Sequence, residues 1–175
     1  MDTLIRAVRR ASRSCAVVSA GLTGVIMILT AVDIGARSLT GRSVPGLLET
    51  GEILLVMLVY LGLAYGQQTR AHVAVSLVTA QLSPRLAKAA VATGLTVAIF
   101  VVAWLVYATG ATAIDSVIAG ETRYGIAAVP VWPARVVVPI GLSLLAFEFM
   151  ADIRETVTGR APVSDVPVAE KEVLA

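Results

Sequence analysis

Apolar residues fill four long stretches of this 175-residue chain, and polar residues collect in the short pieces between them. Roughly 20 apolar residues are needed to cross about 30 Å of hydrocarbon, and each stretch is long enough. The pattern predicts membrane-spanning helices over about residues 15–39, 46–67, 87–113 and 132–150. Residues 89–114 hold no charged side chain, which makes the third the cleanest. Helices are expected because backbone groups in lipid must pair within their own segment, and the two-residue alternation of a barrel strand is missing. The expected fold class is an all-α integral membrane protein of four transmembrane helices. Residues 1–151 would form one helical domain, and residues 152–175, rich in turn formers and interspersed charges, a disordered tail.

Between the second and third spans lies QQTRAHVAV, residues 67–75, with the only histidine of the chain, His72. The following VAVSLVTAQL is too short to span and fits a short interfacial segment, closed by Pro84. TGRSVPG, between the first two spans, is short and makes them neighbours. The longer connection before the fourth span has mixed character and suits the membrane surface. The basic start, MDTLIRAVRRASRSC, has the look of a secretory signal, but its apolar run is long and meets Asp33 and Arg37 without a clear cleavage signature. We expect an uncleaved first span.

Composition agrees with the pattern: 57% of residues are hydrophobic, 15% are charged and mean hydropathy is +0.85, too greasy for an ordinary soluble domain. The net charge of +2 says less than its distribution. Ten of the fourteen Lys and Arg residues fall on the side of the amino terminus, the second connection and the tail; Arg37, Arg42, Arg123 and Arg135 fall on the other. The positive-inside rule then puts both termini in the cytoplasm. One cysteine, Cys15, excludes an internal disulfide or a multi-cysteine metal site.

Charges in or beside spans are costly, so each needs an account. Asp33 and Arg37 stand four apart on one face, as an i,i+4 ion pair would. Alternatively, Arg37 reaches across the hairpin to Glu49 or Glu52. Those two carboxylates share a face of the second span. Acid–base work or cation binding needs further ligands, and none is near in sequence, so a salt bridge between helices or subunits is the default. Gly62 and Gly66 form a GxxxG spacing that permits close helix approach, and Gly21, Gly24 and Gly94 add small residues elsewhere. Pro139 interrupts the fourth span and is expected to bend it. His72 alone supplies neither a bis-histidine haem nor a conventional zinc set. Loop hydrogen bonding or helix capping is the plainer role.

The order of these features resembles the small membrane subunit of tripartite ATP-independent periplasmic (TRAP) transporters, the DctQ-like family. Arg37 in DIGARSLTG closes the first span, PGLLETGE with Glu49 and Glu52 opens the second, and YLGLAYGQQTRAHVAV carries Gly62, Arg70 and His72. PVWPARVVVPIGLSLL at the fourth span carries Pro130, Trp132, Pro139 and Gly141, so that the likeness covers about residues 31–145. It departs from the family where Leu47 and Leu48 stand in place of an aromatic residue, and two glutamates compete for one acidic position.

The resemblance implies a multi-pass protein of the bacterial inner membrane with no catalytic role and no cofactor. Its partners would be a large membrane subunit, a periplasmic substrate-binding protein and membrane lipid, with no nucleic acid. The large subunit would carry out sodium-coupled uptake of an organic acid or similar solute. The small one would enlarge its scaffold, with Arg70 and His72 holding a cytoplasmic turn or a partner. Two other readings remain at this stage: a self-sufficient proton-coupled homodimer using Glu49 or Glu52, and a membrane redox enzyme, against which one histidine and one cysteine argue.

Overall fold

A computed structural model of the protein describes residues 2–69, 84–123 and 128–158. The turn with Arg70 and His72, and the interfacial segment expected after it, lie outside the described residues.

Four helices carry the fold: α1 Asp2–Thr40, α2 Leu47–Gln68, α3 Pro84–Ala119 and α4 Trp132–Thr158. Each contains a stretch long and apolar enough to cross a membrane. Glycine and proline set their limits. Gly41, at φ +72°, stops α1 in the left-handed conformation, and its N–H donates to the Arg37 carbonyl at 2.9 Å. Gly46, at φ +85°, precedes α2, and its carbonyl accepts the Thr50 N–H and hydroxyl. Pro84 begins α3, where a missing N–H costs nothing, and Gly120, at φ +58°, follows its end. Two-residue strands, β1 Thr122–Arg123 and β2 Val129–Pro130, pair antiparallel and lead the chain into α4. They leave the all-α class unchanged.

Three helices outrun their expected spans. α1 begins at Asp2 rather than near residue 15, because residues 2–20 contain no glycine or proline and the arginines there are good helix formers. α3 reaches Ala119 instead of residue 113, with no glycine or proline between that residue and Gly120. α4 runs to Thr158, so residues 152–158 are helix rather than tail. The rest of the expected tail, residues 159–175, lies outside the described residues.

The helices pack in the order α1, α2, α4, α3, with only a slight contact between α1 and α4. α2 and α4 are therefore interior, and α1 and α3 flank them. Val102 of α3 joins Leu142 and Leu145 of α4 in the best-buried apolar cluster, and Tyr60 and Leu63 of α2 close it. At the α2–α4 crossing Gly141 is buried, and a Cβ there would lie 2.7 Å from the carbonyl carbon of Tyr60. At the α1–α2 crossing the Ser19 hydroxyl donates to the Leu58 carbonyl at 2.7 Å, and a Cβ on Gly62 would lie 3.3 Å from the Ser19 Oγ. Small residues give tight approach where there is no water to drive association. The helix continues through Pro139, whose carbonyl accepts the Ser143 hydroxyl at 2.6 Å.

The crossings predict an asymmetry among glycines. Gly141→Ala should destabilise the bundle by about 1–3 kcal/mol, the usual cost of overpacking. Gly94→Ala on α3, with open space around it, should be neutral or slightly stabilising. Thermal unfolding of the two variants in mild detergent tests the contrast. Equal melting temperatures would remove the crossing from the account.

Candidate functional site

The polar groups of the bundle gather at its two ends. At the end holding the start of α1, Ser12 is fully buried and its hydroxyl donates to Glu148 Oε1 at 2.8 Å; Glu148 itself is 1% exposed. Close by, Gln67 Nε2 of α2 donates to Asp152 Oδ2 of α4 at 2.7 Å. Those contacts fasten α4 to α1 and to α2. A carboxylate buried in an apolar bundle is tolerable only with hydrogen-bond partners, and Ser12 supplies one from 136 residues away in sequence.

At the opposite end Asp33 closes the α1–α2 hairpin. It accepts the Ser43 hydroxyl and the Val44 N–H, the latter at 3.0 Å, and pairs with Arg37 at 3.1 Å. Arg37 thus turns to its own helix rather than across to Glu49 or Glu52. Those two acids sit on neighbouring turns of α2. Glu49 lies half-buried in the first turn, where a negative charge suits the helix dipole. Glu52 forms a salt bridge to Arg123 of β1 at 2.9 Å. Beyond it Arg135 of α4 meets Glu121 at 2.7 Å, while the Glu121 carbonyl accepts the Val131 N–H at 2.9 Å. Four charges, on α2, β1, α4 and the residue just before β1, thereby tie the β1–β2 hairpin to α2 and α4.

Below these ion pairs a cleft of about 400 Å³ opens between α2 and α4, walled by Ile53, Val56, Val131, Ala134 and Val138. Trp132, partly exposed at the start of α4, stands at the level where amphipathic rings favour the membrane–water boundary. Gly62 and Gly141 lie at helix crossings as described, Gly66 is half-buried on α2, and Pro139 is half-buried within α4. Arg70 and His72 lie outside the described residues. Among the described residues no group of three His, Cys, Asp or Glu side chains comes together.

Sequence reasoning missed Ser12, Ser19, Gln67, Glu121, Arg123 and Asp152 as contact residues. For Glu148 a signal existed, since an acid inside an apolar run demands a partner. Nothing in the sequence said that the partner would come from the basic arm before the first span.

Four spanning helices clipped together by polar contacts at their ends define a small multi-pass membrane protein. Comparison with known families matches residues 26–159, more than half the chain, to the DctQ component of tripartite ATP-independent periplasmic transporters. The chain belongs to that family, and is the small membrane component of such a transporter. Comparisons with curated proteins and with solved structures give no match.

The two ends should differ in strength. Ser12→Ala leaves a buried carboxylate short of a donor and should cost about 1–3 kcal/mol. Glu52→Gln weakens a half-exposed ion pair and should cost less than about 1 kcal/mol. Chemical or thermal denaturation in detergent measures both. A larger loss for Glu52→Gln than for Ser12→Ala would reverse the ranking.

Proposed function

We propose that this chain is the scaffold subunit of a sodium-coupled importer that takes up an organic acid or similar solute delivered by a periplasmic binding protein. The four helices form one membrane domain that packs against a large membrane subunit and enlarges its fixed frame. Substrate and coupling sodium bind in that larger subunit. The chain resides in the bacterial inner membrane with both termini in the cytoplasm, a direction that rests on the ten-to-four division of Lys and Arg.

Beyond family membership, the observation that carries this reading is how the carboxylates are used. Asp33 closes a loop, Glu121 and Glu52 anchor the hairpin, and Glu148 holds the start of α1. Each serves assembly of the bundle. A self-sufficient proton carrier using Glu52 would have to break the bridge to Arg123 in every cycle.

Reconstitution tests the proposal. Proteoliposomes containing the large subunit, this chain and the binding protein should accumulate solute when a sodium gradient is imposed, and should lose that uptake when this chain is omitted. The chain alone should transport nothing. Uptake by the chain alone that Glu49→Gln or Glu52→Gln abolishes would replace the scaffold reading with the homodimeric carrier.

A further inference from the structure

Among the described residues, α3 has one partner of any extent, α4, and turns its other side away from the bundle. Along that side Val97, Phe100, Trp104, Tyr107, Ala111, Ile114 and Ile118 follow one another at alternating intervals of three and four residues. This is the spacing by which one helix offers a continuous seam to a second helix. The large side chains of the row are all well exposed, and Trp104 and Tyr107 form a tilted ring pair with centroids 6.3 Å apart.

The depth of this pair decides what covers it. Val102 packs on Leu142 and Leu145, at the middle of the apolar stretch Trp132–Arg154. Tyr107 lies five residues further along, about 7.5 Å of helix rise, inside a hydrocarbon half-thickness of about 15 Å. Long side chains on a helix lean toward its amino terminus, which here tips both rings toward the bilayer centre and away from the nearer boundary. Trp104 is 65% and Tyr107 74% exposed, and among the described residues neither the indole N–H nor the hydroxyl has a hydrogen-bond partner. Acyl chains offer no acceptor, whereas Trp and Tyr facing lipid collect at the headgroup level, where acceptors exist. The opposite flank differs. Between residues 15 and 40, α1 has no aromatic residue, and its exposed Thr23 and Thr30 hydroxyls donate to carbonyls of their own helix.

We infer that the Phe100–Trp104–Tyr107 face of α3 is the docking surface for a helix of the large membrane subunit, one that presents hydrogen-bond acceptors opposite the two ring tips. The inference rests on the scaffold reading and assigns its contact face. Belonging to a tripartite transporter implies further components, the proposed large subunit is the one in the membrane, and the polar tips favour a protein neighbour over lipid.

The test uses the full chain co-expressed with the large subunit. Trp104→Leu combined with Tyr107→Leu keeps the face apolar and alters mostly exposed side chains outside the buried α3–α4 cluster, so the melting temperature of the purified chain should stay nearly as it is. Co-purified large subunit should fall at least about tenfold, because packing and interhelical hydrogen bonds are what hold membrane helices together. In a Cys15→Ala background, Tyr107→Cys should cross-link to the large subunit. Undiminished complex with the double-leucine variant would overturn the inference, as would a Tyr107→Cys cross-link between two copies of this chain. If the unaltered chain recovers no large subunit, the scaffold reading itself fails, a result distinct from loss in the variant alone.

Discussion

Gly141 lets the backbone of α4 come against the Tyr60 carbonyl of α2, and the two flanking helices depend on that crossing. α1 rests on the far side of α2, and α3 rests on the far side of α4. In lipid there is no apolar-to-water gradient to press helices together, so closeness of backbone must supply the attraction. A glycine at the crossing of the interior pair therefore matters more than one on a flank. Gly62 repeats the device where α1 meets α2, with Ser19 filling the space and bonding the Leu58 carbonyl.

Polar chemistry complements this packing at the two ends. At one end, Ser12 and Gln67 donate to the carboxylates of Glu148 and Asp152. At the other, arginines meet carboxylates in partly exposed bridges, Arg123 with Glu52 and Arg135 with Glu121. The two ends differ in solvation. A buried acid is expensive to leave without hydrogen bonds, whereas an exposed ion pair contributes little to stability and serves more to set which elements lie together. The first end fixes the bundle, and the second positions the hairpin.

Much of this was legible in the sequence. Residues 89–114 could hardly be anything but a span, and the short TGRSVPG connection made the first two spans neighbours. The family likeness rested on the order of Arg37, the Glu49–Glu52 pair and the Pro139–Gly141 element, and the family match covers all of them. Helix lengths were underestimated because hydropathy sees only what lipid demands. The basic turns of α1 and the last turns of α4 are helical through propensity and contact rather than through hydrophobicity. Pairings were the least legible. Arg37 had two acids within plausible reach across the hairpin and one on its own helix, and the closing of the loop by Ser43 and Val44 on Asp33 settles the choice. The Ser12–Glu148 contact joins opposite ends of the chain, a separation that local pattern cannot bridge.

α2 is the shortest of the four helices as well as an interior one. Its 22 residues rise about 33 Å, close to the hydrocarbon thickness of an ordinary bilayer. It is tied at both ends, by the hairpin that Asp33 closes and by the Gln67–Asp152 bond, so it has little freedom to tilt independently. The longer flanking helices absorb a thicker or thinner membrane by inclination or by projecting beyond it, whereas α2 cannot. The length of this helix thereby sets the bilayer thickness that suits the bundle best: lipid whose hydrophobic depth departs from it must deform around the protein at an elastic cost.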